Sequence, residues 1–391
     1  MAAAAWTEPW VRLTAHQLRV GAEAAATAAR EWGGYWADAL RRRTPPLGPV
    51  TDGLRWWATV RDRRPPSWTL PAEIRFRTPI AALRDVTEPA DREADVVPTL
   101  VLPPQAGHSS SIVDFAPDQS QLATLRTAGL VRLAALEWLP ATAATRSASI
   151  GDYLAVVDRA VTELGGRANL VGDCQGGWLA AIYAALHPDK VHTLTLAGAP
   201  LDFHAGDAVI AHATRALHGA YGMAPYRALV AAGGGTVPGG ALLASFVGIA
   251  PQAEVGRQLE LLRHLDDPGH LARFRAFHDW FTHTQDMPGA FYLWLVEHLF
   301  ARNELIRGEL VVDGRPVDPG AIDCPLFLLA GETDHITPAP QVFAFADAVA
   351  TPAADVVQRT TPGGHLGLFM GHDALATAWP ELGAQVRARS I

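Results

Sequence analysis

A cysteine stands in a glycine-rich turn between an apolar run and a helix-like segment. Residues Val171–Gly177 read VGDCQGG, with Cys174 at the centre. Flanking glycines allow a sharp strand-turn-helix connection that holds the central side chain above a sheet. A helix N-terminus also favours the thiolate form of a cysteine. The pattern predicts that Cys174 is a covalent nucleophile; the alternative is a buried, unreactive cysteine beside a turn.

An acid and a histidine follow two later apolar runs. Asp334 lies just after the run Pro325–Ala330, and His365 lies in the glycine-flanked loop Pro362–Gly367. The chain order of nucleophile, acid and histidine is that of the α/β-hydrolases. In that arrangement His365 takes the thiol proton as general base, and Asp334 fixes the tautomer of the imidazole and stabilises the imidazolium.

Acyl transfer through a tetrahedral intermediate also needs backbone N–H groups that bind the oxyanion. We expect one of them from Gln175, which directly follows the nucleophile. The second is expected from the loop after the apolar pair Val101–Leu102. Its donor is assigned collectively to three residues of that loop: Gln105, Ala106 and Gly107.

Three further side chains are assigned to the surroundings of the pocket. His335 adjoins the acid and either lines the pocket or holds its loop, and His108 follows the predicted oxyanion loop. Asp173 adjoins the nucleophile, where a charged carboxylate would make the thiol less acidic. The sequence assigns no role to Asp173.

Composition excludes several classes of partner. The chain has 391 residues, 49% of them hydrophobic, and a net charge of −8, which predicts one large domain with an inserted subdomain and no nucleic-acid-binding surface. No apolar run approaches the roughly 18 residues that span a bilayer, and Met1–Trp6 lacks signal-peptide features. We therefore expect a soluble protein. Because only Cys174 and Cys324 occur, which fits a reducing compartment, we expect it in the cytoplasm. No metal-ligand spacing or dinucleotide motif is present, so no metal and no cofactor are predicted.

Short apolar runs alternate with helical segments, which predicts a doubly wound, mostly parallel sheet of the α/β-hydrolase fold. A helix over Ile150–Leu164 supplies the crossover that parallel neighbours need. The predicted strands are Pro98–Pro104, Val131–Trp138, Asn169–Gly172, Val191–Gly198, Pro325–Gly331 and Val356–Thr360.

The extent of this alternation of apolar runs and helical segments predicts the domain boundaries. Residues 1–94 form an extension, helical over Ala15–Arg43 and then an irregular linker with edge strands. Residues 95–201 and 304–391 form the catalytic core, and residues 202–303 form an inserted helical cap that shapes the pocket. We expect four tryptophans of the extension to pack in the interior, the alternative being a docking surface: Trp6, Trp10, Trp32 and Trp36.

With these residues identified, the chain resembles the polyhydroxyalkanoate synthases, which use a cysteine lipase box, and more loosely the intracellular polyhydroxyalkanoate depolymerases. The likeness runs from about Pro98 to Leu382. The segments that carry it are Asp152-Tyr153, Gly172–Gly177, Ala185–Val191, Pro200–Phe203, Asp334–Ile336 and Gly363–Gly367. The segment Gln105–Ser109 is closer to the depolymerases.

The resemblance implies that Cys174 carries a growing hydroxyacyl chain as a thioester, transferred from a coenzyme A thioester. It also implies association with polyester granules and either a second synthase subunit or a homodimer as partner. Three hypotheses follow. The first is a synthase, the second is a cysteine-dependent hydrolase of polyesters or acyl thioesters, and the third is a granule-associated protein without catalysis. A thiolate is both a good nucleophile and a good leaving group, which favours the synthase.

Overall fold

The structure is a computed structural model that describes residues 2–390, with side chains from Trp10 onward. The described chain divides into two compact units. The first contains the residues up to Pro66 together with Gly239–Thr284. The second contains Ser67–Pro238 together with the chain from Gln285 onward, and it holds every residue predicted for the catalytic site.

Within the described residues, the second unit is built on one eight-stranded sheet. Its strands are β1 Glu73–Arg77, β2 Ala81–Asp85, β3 Thr99–Leu102, β4 Leu133–Trp138, β5 Ala168–Asp173, β6 Val191–Ala197, β7 Leu326–Gly331 and β8 Val356–Thr361. Their spatial order is β1-β2-β4-β3-β5-β6-β7-β8, antiparallel along β1-β2-β4 and parallel elsewhere. This order is that of the α/β-hydrolase fold, so the predicted fold class is confirmed, and all six predicted strands are present.

The sheet begins earlier than the predicted core boundary at residue 95. The strands β1 and β2 lie in the stretch predicted as a linker with edge strands, and β2 pairs directly with β4. In β1 only Phe76 is buried, because an edge strand covers one side of the sheet and leaves its charged residues in solvent. The charged residues of β1 alternate with Ile74 and Phe76, so the strand is not an apolar run, although edge strands were predicted for this stretch.

Helices flank this sheet. The predicted crossover helix is present over Ile150–Glu163 and begins with a capping box, in which Ser149 and Asp152 each bind the other's backbone N–H. The α-helices of this unit are Gln121–Thr127, Ile150–Glu163, Gln175–Leu186, Val209–Tyr221, Ala224–Ala232, Gly289–Trp294, Ala339–Phe343, Gly367–Met370, His372–Ala376 and Ala378–Arg389, and a π-helix spans Leu295–Ala301.

The first unit is helical, and its composition differs from the predicted domains. Helix Pro251–Arg263 lies along the N-terminal helix, where Arg263 binds Glu31 and Asp38, each at 3.0 Å. Residues 239–284, predicted as part of a cap of 202–303, thus belong with the N-terminal helices, a pairing between segments about 200 residues apart that local sequence patterns do not encode. The helices are Ala2–Arg41, Gly48–Arg61, Gly239–Ile249, Pro251–Arg263 and Pro268–Thr282.

The N-terminal tryptophans do not pack in an interior. Trp10, Trp32 and Trp36 are 37%, 47% and 41% exposed, which contradicts the packing expectation; Trp6 lies outside the side chains that the structure describes. The ring of Trp32 stacks on that of Tyr35 and meets Trp36 edge-on, so the exposed rings shield one another only in part. Among residues 2–390, no helix is long and apolar enough to cross a membrane.

Candidate active site

Cys174 occupies the predicted turn between β5 and helix Gln175–Leu186. Its backbone adopts φ 50° and ψ −112°, a conformation that non-glycine residues rarely take and that is associated with functional turns. Two backbone hydrogen bonds hold this conformation. The N–H of Cys174 donates to the carbonyl of Ala197 on β6 at 2.8 Å, and the N–H of Gly177 donates to the carbonyl of Cys174 at 3.0 Å.

The neighbouring glycines are required by close backbone contacts, as the sequence predicts. A Cβ at Gly172 would lie 2.5 Å from the Cα of Gly177. A Cβ at Gly176 would lie 1.9 Å from the carbonyl oxygen of Leu102, at the end of β3. The second contact also shows that the elbow and the loop after β3 lie against each other.

Asp334 and His365 are hydrogen-bonded. The Nδ1 of His365 lies 2.7 Å from Oδ2 of Asp334, and both residues are buried. The other carboxylate oxygen, Oδ1, accepts the backbone N–H groups of Ile336 at 2.9 Å and Thr337 at 2.8 Å. These amides fix the carboxylate so that one oxygen faces the imidazole, the arrangement an orienting acid needs.

Two backbone hydrogen bonds join the loops that carry this pair. The N–H of Glu332 donates to the carbonyl of Thr361 at 3.0 Å, and that of Thr333 donates to Gly363 at 3.1 Å. The parallel neighbours β7 and β8 therefore continue their pairing beyond the sheet. As a result, the acid and the histidine are positioned by one rigid connection.

The environment of His365 favours the imidazolium. Burial alone would lower the pKa of His365, but the charges of Asp334 and Cys174 and hydrogen bonds with both raise it well above its usual value. The edge-on ring of Phe369, 5.3 Å away, packs against the imidazole. The pKa of His365 therefore depends on both Asp334 and Cys174, as is expected where a histidine activates a thiol.

The predicted oxyanion donors lie in the helix after the elbow and in the loop after β3. Gln175 is the first residue of its helix, where backbone N–H groups have no partner within the helix. In the loop, the N–H of Gly107 already donates to the carbonyl of Gln105. Of the three loop residues, this leaves the amides of Gln105 and Ala106 as the candidates for the second donor.

A tyrosine that the sequence analysis gave no role in the site holds this loop. The hydroxyl of Tyr153 donates to Oε1 of Gln105, and Nε2 of Gln105 donates to the carbonyl of Leu139 at 3.0 Å. The ring of Tyr153 stacks on Phe291, with centroids 4.0 Å apart. Burial raises the pKa of Tyr153, so its hydroxyl remains a proton donor. Tyr153 and Gln105 are 48 residues apart, so no local sequence pattern predicts their hydrogen bond.

The remaining predicted residues differ in accessibility. The side chain of His335 is exposed, whereas His108 and Asp173 are buried. Cys174 is partly accessible, and Cys324 is buried; both thiols are free. His335 therefore faces solvent, and Asp173, the chain neighbour of Cys174, has no exposed surface.

A model of the family described as Protein of unknown function (DUF3141) matches residues 73–375 of this chain. The match begins at β1 and includes the elbow, the acid loop and the histidine loop. It therefore covers most of the chain and every residue of the site described above.

The curated relatives include several polymerases. The poly(3-hydroxyalkanoate) polymerase subunit PhaC of Allochromatium vinosum is 26% identical over 304 residues, covering 76% of this chain and 82% of the relative. The same subunit of Haloferax mediterranei is 27% identical, over 71% of this chain and 56% of the relative. That of Haloarcula marismortui is 29% identical, over 57% and 45%. The chain thus spans about half the length of the two archaeal relatives.

Solved structures with a similar arrangement include the enol-lactonase of Burkholderia xenovorans LB400. It is 17% identical, with a TM-score of 0.46, covering 78% of this chain and 95% of the lactonase. A monoacylglycerol lipase of Paleococcus ferrophilus is 14% identical, with a TM-score of 0.43, over 75% and 97%.

Proposed function

We propose that this chain, which belongs to the DUF3141 family, is an acyltransferase of the polyhydroxyalkanoate synthase type. The observation that carries the proposal is the thiol of Cys174 at a strained elbow, grouped with the hydrogen-bonded pair His365 and Asp334. The similarity to polymerase subunits named PhaC supports a hydroxyacyl-coenzyme A thioester as acyl donor.

In the first step, the thiolate of Cys174 attacks the carbonyl carbon of the hydroxyacyl thioester. The oxyanion that forms accepts hydrogen bonds from the amide of Gln175 and from an amide of the loop after β3. As the intermediate collapses, the carbon–sulfur bond to coenzyme A breaks, and the imidazolium of His365 gives its proton to the leaving thiolate. The acyl group remains on Cys174 as a thioester.

In the second step, a hydroxyl group of another hydroxyacyl chain attacks that thioester. The neutral imidazole of His365 takes the hydroxyl proton, an ester bond forms, and the thiolate of Cys174 leaves. Asp334 stabilises the imidazolium in both steps. Hydrolysis uses the same groups with water in place of the hydroxyl, and the partial accessibility of Cys174 makes this the second candidate function.

The test is to incubate the purified chain with 3-hydroxybutyryl-coenzyme A and follow released thiol together with the acyl product. Thiol release with insoluble polymer supports the synthase, whereas release with free acid supports the hydrolase. Intact-protein mass spectrometry should detect an acyl adduct that Cys174→Ala abolishes and Cys324→Ala retains. No adduct and no thiol release, with or without a homologous partner subunit, would favour the non-catalytic alternative.

A further inference from the structure

Asp173 is a buried acid that the proposed reaction does not use. It is the last residue of β5 and the chain neighbour of Cys174, and it has no exposed surface. A carboxylate in such a place needs a cation or several hydrogen-bond donors, because burial removes its hydration. Within the described residues, no ion pair of Asp173 is formed.

One neutral side chain faces Asp173. Gln121, at the start of helix Gln121–Thr127, is also fully buried, and its Nε2 donates to Oδ1 of Asp173 at 3.1 Å. Two oxygens remain, Oδ2 of Asp173 and Oε1 of Gln121. In the described part of the chain, both are buried without a hydrogen-bond partner. If the acid were ionised, both oxygens could only accept hydrogen bonds. Each would then be a buried acceptor without a donor, which destabilises the folded chain.

We propose that Asp173 is a neutral carboxylic acid that forms a doubly hydrogen-bonded acid–amide pair with Gln121, and that this pair positions the nucleophile elbow. The proton on Oδ2 donates to Oε1 of Gln121, while Nε2 of Gln121 donates to Oδ1. A single proton therefore satisfies both unpartnered oxygens. The pair joins the end of β5 to the helix that begins at Gln121 without placing a negative charge beside Cys174.

The electrostatics agree with this geometry. Burial raises the pKa of Asp173 to about 8, and the hydrogen bond from Gln121 and the charge of His365 lower it less than burial raises it. The ionisable groups beside Asp173 are Cys174, its chain neighbour, and His365, on the loop after β8; the helix that starts at Gln121 presents a neutral amide. Ionisation above about pH 8 would add a negative charge that opposes thiolate formation.

Infrared difference spectroscopy of the full chain tests the protonation state without any activity assay. We expect a protonated-carboxyl band at pH 7 that disappears at pH 10 and is missing in Asp173→Asn. A spectrum in which Asp173→Asn leaves the protonated-carboxyl region at pH 7 unchanged would overturn the proposal. This outcome is distinct from a failure of the proposed acyl transfer, because it does not depend on a substrate.

The positioning role rests on the proposed function and is tested by a pair of variants in the thiol-release assay. Asp173→Leu keeps the branched side chain of four heavy atoms but is larger and leaves Gln121 unpaired, so we expect kcat to fall by about 10-fold or more. Asp173→Asn can donate to Oε1 and accept from Nε2, so it should restore most of that loss and extend activity above pH 8, where the native chain declines. An unshifted alkaline limb in Asp173→Asn, or a loss as large as that of Asp173→Leu, would contradict the role.

Discussion

The Nδ1 of His365 lies 2.7 Å from Oδ2 of Asp334, and the second oxygen of Asp334 is occupied by two backbone amides. The carboxylate therefore has one orientation and presents only one oxygen to the imidazole. This leaves Nε2 as the ring nitrogen of His365 that does not bind Asp334, and the pKa of His365 responds to Cys174 as well as to Asp334. The orientation of the imidazole is thus determined by backbone atoms of the loop that carries Asp334.

Asp334→Asn should keep the conformation of the loop that carries residue 334 but greatly slow the proposed acyl transfer. The amide oxygen of Asn can still accept from Ile336 and Thr337, which turns its NH2 group towards His365 and favours the wrong tautomer. We expect kcat for thiol release to fall by about 10³-fold to 10⁴-fold with a smaller change in KM. The exposed Asp347→Asn is the matched control, with expected activity close to that of the native chain. Retention of native kcat in Asp334→Asn would refute the role of the acid.

The two cysteines should differ in reactivity. Burial raises the pKa of Cys324 to about 12, and its side chain is inaccessible, whereas Cys174 is partly accessible at a helix N-terminus. We expect iodoacetamide at pH 8 to add one group per folded chain, located on Cys174 by peptide mass spectrometry. The folded Cys174→Ala variant should remain unlabelled, and both residues should react after unfolding. Preferential labelling of Cys324 would contradict this assignment.

The fold and the candidate site were predictable where the signal is local. The elbow around Cys174 is one strand, one turn and one helix, whereas Asp334 follows the buried strand β7 and His365 follows the edge strand β8. An apolar run of this length indicates a strand that is buried on both faces of the sheet. Placing three such loops at the carboxyl edge of one sheet then follows from the topology, without knowledge of any side-chain contact.

What the sequence did not predict depends on contacts between distant segments. Gln121 and Asp173 are 52 residues apart, and the helix that carries Gln121 begins after a short hairpin with no pattern of its own. Edge strands were predicted in the linker, but the charged residues of β1 left its bounds unpredicted. Residues 239–284 belong with the N-terminal helices through ion pairs such as Arg263–Glu31, and charged residues of this kind are common on any solvated helix.

Tyr153→Phe should weaken catalysis through the oxyanion loop. The substitution keeps the ring stacked on Phe291 but removes the hydroxyl that holds Gln105, whose Oε1 becomes a buried acceptor without a donor. We expect kcat to fall by about 10-fold to 100-fold, with KM less affected, if an amide of this loop binds the oxyanion.

The control for this variant is Tyr183→Phe. Tyr183 is also buried, but its hydroxyl donates to Asp158 at 2.9 Å instead of to the loop. Both variants should lose about 1–3 kcal/mol of unfolding free energy, because each leaves an acceptor without the hydroxyl that binds it. Only Tyr153→Phe should lower kcat; an equal fall in both variants would mean that lost stability, and not the position of the loop, lowers the rate.

Gly176→Ala should prevent the elbow from closing. The added Cβ would lie 1.9 Å from the carbonyl oxygen of Leu102 and 3.0 Å from that of Pro103, and neither backbone atom can rotate away as a side chain could. The β3 loop must then move away from the nucleophile, which separates the two expected oxyanion donors. We expect a destabilised chain with no measurable thiol release, assessed by thermal unfolding and the coenzyme A assay.

The comparison for that variant is Gly21→Ala, in the N-terminal helix. A Cβ there meets no atom within 4 Å, so alanine should stabilise the helix by about 0.5–1 kcal/mol, its usual advantage over glycine in a helix interior. Comparing Gly176→Ala with Gly21→Ala separates the general effect of replacing glycine in a helix from the effect of the close backbone contact at the elbow. Native activity in Gly176→Ala would mean that the β3 loop can shift without cost, and it would remove the argument that Gln105 or Ala106 supplies the second oxyanion donor.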